Sequence, residues 1–272
     1  MITDDAGFAE LASLITRKVG VTLGAYKDKC LRRRIAVRMR ACGVHTFADY
    51  GEVLRHRPEE SERLKDALTI NVTRFYRNRE TWDVLRSRFL ADLWQQRQGR
   101  LDVWSAGCSS GEEPYTIAMC VAALCDDHRR GSWLDRLTVH ATDIDRESLA
   151  LAQAAVYRPE AFQETPAEFV ARYTVATDNG VGIAPALRRR VDVRRFDLIR
   201  EPAPVSAYDV VFCRNVVIYF DRPTQEQLFA AFAGALRPGG LLVLGKVETL
   251  LGPGRERLEL ADARERIYRL PG

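Results

Sequence analysis

A short apolar run, Leu101-Asp102-Val103-Trp104, leads straight into Ser105-Ala106-Gly107-Cys108-Ser109-Ser110-Gly111-Glu112-Glu113-Pro114-Tyr115. No other stretch constrains the fold as much. The apolar run has the composition of a buried strand, the glycines open a turn, and the segment beyond favours helix, with carboxylates in its first turn. A strand that passes through a glycine loop into a helix is the repeating unit of an open α/β sheet. Such sheets take ligands at the carboxyl ends of their strands.

The chemistry of the turn narrows the ligand. Gly107 and Gly111 lack the Gly-x-Gly-x-x-Gly spacing of dinucleotide sites, and the acids Glu112 and Glu113 repel a phosphate. The pattern suits a cationic, ribose-bearing ligand, of which S-adenosylmethionine is the commonest.

The alternation continues along the chain. Residues 101–106, 137–142, 208–213 and 241–246 read as short strands, with helices over 112–125, 146–155 and 223–236 between them. This predicts a doubly wound, Rossmann-like, mainly parallel sheet across 76–272. Residues 173–198 break the rhythm: Tyr173-Thr-Val, the turn-prone Asp178-Asn-Gly and Arg190-Val-Asp-Val-Arg-Arg-Phe predict a short antiparallel β insertion. Residues 1–75 read as a small all-helical domain. Phe8, Leu11, Leu14 and Ile15 recur at helical spacing, as do Leu31, Ile35 and Met39, then Phe47, Tyr50, Val53 and Leu54.

Composition excludes several classes. The chain of 272 residues has no apolar run able to span a bilayer, and Met1-Ile-Thr-Asp-Asp has no leader character. A cytoplasmic monomer with no membrane insertion is expected. Six scattered cysteines without a Cys-x-x-Cys pair, and only four histidines, predict reduced thiols and no metal site. The net charge of +4 is modest, but seven basic residues and one acid lie between Lys27 and Arg40. Such a concentration points to an acidic partner. Without an aromatic platform beside it, nucleic acid is not expected.

Three further segments fall at the predicted sheet edge or the domain junction. Asp143, in Ala141-Thr-Asp-Ile-Asp145, can accept both hydroxyls of a ribose, while Asp145 suits the N-cap of the next helix. Arg214 and Asn215 follow the strand 208–213, with Tyr219 four residues on; an asparagine there is equally a turn residue, and a tyrosine equally a core aromatic. Asn71-Val-Thr73-Arg-Phe75-Tyr76-Arg77 joins the helical part to the sheet and reads as a lid over a binding site.

Taken in order, Asn71-x-Thr73-x-Phe75-Tyr76-Arg77, Cys108-Ser-Ser-Gly-Glu-Glu-Pro-Tyr115, Ala141-Thr-Asp-Ile-Asp145 and Cys213-Arg-Asn-Val-Val-Ile-Tyr-Phe220 resemble the signatures of the CheR-type chemotaxis protein methyltransferases. The resemblance covers nearly the whole chain. It implies that Asn71, Thr73 and Arg77 close over the methionine end of S-adenosylmethionine. Glu113 and Asp143 would meet its amino group and ribose, Asp197 and Leu198 its adenine, and Arg214 and Asn215 the remaining wall, with Gly107 of the glycine loop also bordering the cofactor. It also implies methyl transfer to glutamate carboxylates on acidic chemoreceptor helices, giving glutamyl methyl esters and S-adenosylhomocysteine. Arg77 and Tyr219 would then orient the carboxylate, and Arg33, Arg34 and Arg38 on the basic helix would receive the acidic substrate. Two departures stand out. Asp197-Leu198 replaces the family's usual Asn-Leu, and Leu244-Gly-Lys246-Val-Glu248 replaces its Gly-His-Ser-Glu. The insertion looks short beside members that dock a receptor tail there, so tether-independent recognition is expected. Two alternatives remain open at this point: a methyltransferase acting on a non-receptor protein, and a non-catalytic S-adenosylmethionine-sensing module.

Overall fold

The computed structural model describes residues 5–19, 23–68, 73–205 and 207–272. The chain divides into two compact units, Met1–Asn71 with Tyr219–Thr224, and Val72–Ile218 with Gln225–Gly272.

The first unit holds α1 (Asp5–Val19), α2 (Asp28–Ala41), α3 (Phe47–His56) and α4 (Pro58–Leu68). Thr46 caps α3 by accepting from Asp49 N at 3.1 Å, and Pro58 opens α4, where a missing N–H costs nothing. The apolar faces meet in one core of Phe8, Leu11, Ile15, Leu31, Ile35, Met39, Tyr50, Leu54 and Leu64. The segment around Phe220 belongs to the same unit. Lys27 N donates to Tyr219 O at 2.9 Å, Asp221 N donates to Ala25 O at 2.9 Å, and Tyr26 meets Phe220 edge-on at 5.0 Å.

Of the three arginines expected to receive the substrate, only Arg33 stands free of internal partners among the described residues, and this corrects the placement of Arg34 and Arg38. Arg38 reaches the buried Glu60 through Nε at 2.9 Å and Nη2 at 2.6 Å, while the Tyr50 hydroxyl donates to the same carboxylate at 2.7 Å. Arg34 is 9 % exposed, donates to Leu68 O and lies over the Tyr219 ring at 4.8 Å. Both are turned inward because they flank Ile35 and Met39 on the buried stripe. Arg33, Lys29 and Arg40 stand exposed, with no acidic partner among the described residues. Arg38→Ala is expected to destabilise this unit by about 2 kcal/mol, less than the loss for a fully buried ion pair. Although burial pushes the Glu60 carboxyl up, the hydrogen bonds from Arg38, Tyr50 and Cys42 hold it below its ordinary value. A depressed carboxyl stabilises the fold above its unfolded pKa, and that stability is lost as pH falls through the folded value. In thermal melts the gap between wild type and Arg38→Ala should therefore be widest at neutral pH and narrow on acidification. A constant gap would contradict the assignment.

The second unit begins with α5 (Arg79–Val84), which runs through a wide turn at 85–90 into α6 (Ala91–Gln96). There follow β1 (Leu101–Ala106), α7 (Glu112–Asp127), β2 (Leu137–Asp143), α8 (Arg146–Ala154), β3 (Val156–Tyr157), α9 (Ala167–Tyr173), β4 (Thr174–Thr177) and β5 (Gly180–Ile183). Next come α10 (Pro185–Arg188), β6 (Val191–Arg195), β7 (Tyr208–Cys213), α11 (Arg222–Ala235), β8 (Leu236–Leu244), α12 (Pro253–Arg257), β9 (Glu259–Asp262) and β10 (Ile267–Arg269). Seven strands form one sheet in the order β6-β2-β1-β7-β8-β10-β9. The first five are parallel, and β10 and β9 close the far edge antiparallel.

Alternation along β1 explains the two covered faces. Val103 points into the core that includes α7, Trp82 and Leu85, whereas Trp104 packs against Phe196, Tyr208 and Phe232 on the other side. The strand order reverses between β1 and β7, so the crevice at their carboxyl ends is the natural ligand site. The small antiparallel sheet does not coincide with 173–198: it takes in Val156–Tyr157 before that range and ends at Ile183. Strands β3, β5 and β4 make a separate three-stranded antiparallel sheet, while β6 pairs in parallel with β2 as an edge of the main sheet. Val191 and Val193, both half-buried, pack on one side of the strand against Cys108, Ala141 and Leu149.

Candidate active site

The site grows from the end of β1. Gly107 sits at φ +82°, and a Cβ there would stand 2.5 Å from Val216 Cγ2, so only glycine allows the loop after β7 to approach. Gly111, at φ +97°, precedes α7, and the Tyr157 hydroxyl donates across it to Ser110 O at 2.8 Å. The first turn of α7 aims Glu113 back toward β1. Its carboxylate accepts from Ser105 Oγ at 2.8 Å and lies 3.5 Å from Arg214 Nη1. Burial raises the Glu113 carboxyl above its ordinary value, against the pull of Arg214, Ser105 and Arg77.

Asp143 ends β2 beside this loop. Ser109 N donates to its Oδ2 at 2.8 Å and Asp145 N to its Oδ1 at 3.0 Å. Each oxygen keeps a free lone pair, as a ribose diol requires. Burial also raises the Asp143 carboxyl, with the Asp145 and Ser109 amides opposing. Asp145 caps α8, accepting from Glu147 N at 3.2 Å and Ser148 N at 3.4 Å. Phe196 N bonds Asp143 O at 2.8 Å, which brings Asp197 and Leu198 alongside. The Asp197 side chain is engaged in its own turn, accepting from Ile199 N at 2.9 Å; Leu198 is half-buried.

Arg214 and Asn215 close the opposite wall. Arg214 is buried over the Trp82 ring at 5.3 Å, and its Nη2 donates to Arg77 O at 2.8 Å and Asn78 Oδ1 at 3.1 Å. Burial lowers its pKa against the opposing charge of Glu113. Asn215 occupies the left-handed region at φ +61°. Arg214 Nε, Asn215 Oδ1 and Ser109 Oγ are buried with no hydrogen-bond partner among the described residues. Orphaned buried polar atoms call for a ligand or ordered water. One donor, one acceptor and one hydroxyl beside buried carboxylates fit a group carrying an amino acid end and a ribose.

The junction segment is anchored as well as polar. Phe75 stacks on Phe162 at 4.2 Å, its N–H bonds Ala161 O at 3.0 Å, and Tyr76 N bonds Thr116 Oγ1 at 3.2 Å. The two aromatics are core anchors that fix Arg77, which is half-buried, and Thr73 just before it. Asn71 lies outside the described residues. Tyr219 belongs to the helical unit, half-buried under Arg34. Sequence reading missed Glu248 as a functional residue, and also Ser105, Asn78 and Trp82. The sign of the first lay in Gly245-Lys-Val-Glu248, which keeps the glycine and the acid of the family's Gly-His-Ser-Glu.

The chain is similar in sequence to known proteins. Residues 71–267 match the family described as CheR methyltransferase, SAM binding domain, and residues 6–69 match CheR methyltransferase, all-alpha domain. The class is that of an S-adenosylmethionine-dependent methyltransferase. A chemotaxis protein methyltransferase of Klebsiella aerogenes is 36% identical over 251 residues, covering 90% of this chain and 83% of that relative. Those of Listeria monocytogenes (32% over 259 residues; 93% and 94%) and Escherichia coli K12 (33% over 251 residues; 90% and 84%) are similar along most of their lengths. The chain belongs to the CheR methyltransferase family.

Proposed function

We propose that this enzyme methylates the side-chain carboxylates of glutamates on acidic helices of chemoreceptor cytoplasmic regions, producing glutamyl methyl esters and S-adenosylhomocysteine. When bound, S-adenosylmethionine supplies an electrophilic methyl on a sulfonium. Glu113 and Asp143 would hold its amino group and ribose, Arg214, Asn215 and Gly107 would line its wall, and Asn71, Thr73 and Arg77 would be the residues assigned to the methionine end. Asp197 and Leu198 would border the adenine, with the Asp197 carboxylate already turned to Ile199 N.

The observation that carries the reading is a site built from buried carboxylates and two arginines, with no histidine in it. A carboxylate nucleophile is already ionised near neutral pH, so the chain needs no strong general base. Its task is to place an anion in line and keep water out. Arg77 does this from a segment bolted down by Phe75 and Tyr76. It must orient the incoming carboxylate without clamping it, since a strong ground-state pair would raise the barrier. Tyr219 is assigned the second orienting contact. The exposed Arg33, with Lys29 and Arg40, offers the charge that would steer an acidic helix; the inward Arg34 and Arg38 do not.

Two tests follow from this reading. With methyl-labelled S-adenosylmethionine and membranes carrying chemoreceptors, label is expected on a receptor-sized band; label only on other proteins would overturn the substrate. The raised carboxyls give a pH signature. Glu113 protonates above the ordinary glutamate value of about 4.3 and Asp143 above the ordinary aspartate value, so S-adenosylhomocysteine affinity should begin to weaken on acidification before about 4.3 is reached. The same two groups favour the ligand-free fold at low pH and lose that contribution as pH rises through their folded values. Calorimetric titration from neutral pH down to about 4.3 checks it, and an affinity that stays flat down to that ordinary carboxylate value would contradict ligand contacts by these raised carboxyls.

A further inference from the structure

Beneath the Arg214–Asn215 loop lies a carboxylate to which methyl transfer gives no part. Glu248 is 2 % exposed, in the turn after β8. Its Oε2 accepts from Asn215 N at 2.9 Å and Gly245 N at 2.6 Å, and its Oε1 accepts from Val216 N at 2.9 Å. The backbone of Ile218 also hydrogen-bonds it. Among the described residues it has no ion-pair partner; Arg214 and the Cys213 thiol are the charged and titratable groups that feel it.

The geometry explains why an acid sits there. β7 and β8 stop pairing at Cys213 and Leu244, so the loops beyond carry backbone N–H groups with no strand to bond. Asn215 at φ +61° followed by Val216 turns successive N–H groups to one side, a concavity of the kind that binds anions. Here the anion is the chain's own carboxylate. Gly245 completes the fit. A Cβ on it would stand 2.8 Å from Glu248 Oε2 and 2.9 Å from Asn215 N, closing the space the carboxylate uses.

We infer that Glu248 is a positioning residue, an internal anion that fixes the backbone of Asn215 and Val216 and thereby aims the unpaired Asn215 Oδ1 and Arg214 Nε at S-adenosylmethionine. This rests on those residues lining the cofactor site, and it requires nothing of the methyl acceptor. Removing one hydrogen-bond partner while leaving the donors buried carries the full desolvation penalty, so the loop should lose its shape before the fold fails.

The test is S-adenosylhomocysteine binding by the purified enzyme, measured calorimetrically at a temperature where melts show each variant folded. Glu248→Gln should weaken binding at least about tenfold. Gly245→Ala, which alters no polar side chain, should weaken it in the same direction. Glu248→Ala should weaken it further and recover part of the loss in formate, which can enter the vacated concavity, whereas wild type should not respond. Should the alanine variant fail to fold, Glu248→Gln and Gly245→Ala still decide the matter. Wild-type affinity in both, accompanied only by a lower melting temperature, would show Glu248 to be a prop of the fold and overturn the inference. The assay contains no receptor, so a wrong methyl acceptor would leave its outcome untouched.

Discussion

Arg77→Ala is expected to lower turnover about 100-fold, the scale set by misplacing a reacting group, while S-adenosylhomocysteine affinity changes by less than about tenfold. The local structure makes this a clean substitution. The carbonyl of residue 77 is held by Arg214 Nη2 at 2.8 Å and Trp82 Nε1 at 3.1 Å, and the preceding Phe75 and Tyr76 are buried. The backbone should therefore stay in place when the guanidinium goes. What is lost is a positive charge that bears on both Glu113 and Arg214. Steady-state kinetics with receptor membranes, paired with calorimetry, separates the effects. A loss confined to affinity would make Arg77 a cofactor ligand alone, and an unchanged rate would remove it from the mechanism.

Asp143→Ala should be the most damaging change to cofactor binding, about 100-fold in S-adenosylhomocysteine affinity. Two losses combine. On the proposed assignment the ribose hydroxyls would lose a charged acceptor, and the Ser109 and Asp145 amides, now bonded at 2.8 and 3.0 Å, would lose their partner in a water-poor setting. Asp143→Asn separates these terms, because one amide oxygen can still serve one N–H. It should fall between wild type and alanine. Equal affinity for wild type and asparagine would show that charge at this position is irrelevant to the ligand.

The parts of this molecule that were legible in sequence are those whose cause is local. The glycine turn after β1, the Asp145 cap and the periodic faces of α1, α2 and α3 are each dictated by a few neighbouring residues, and the first two bring Glu113 and Asp143 to one sheet edge. Long-range causes left no such trace. Whether Arg34 and Arg38 face solvent depends on where Glu60 and Leu68 arrive, twenty-two and thirty-four residues away. The Val191–Arg195 segment joins the main sheet, and not the small antiparallel one, because β2 offers an edge. Phe75 and Tyr76 read as lid aromatics until Phe162 and Thr116 are seen to hold them. Glu248 is the extreme case, since its function depends on backbone amides more than thirty positions away.

The central claim is ester chemistry on a carboxylate, and the lability of the transferred methyl tests it most directly. Receptors labelled from methyl-labelled S-adenosylmethionine by this enzyme are treated with mild base, and volatile methanol is collected. Release of the label as methanol is the predicted result, because a glutamyl methyl ester hydrolyses under those conditions. Label that stays on the protein through alkali would mean methyl transfer to nitrogen or sulfur, and would contradict the account at its root.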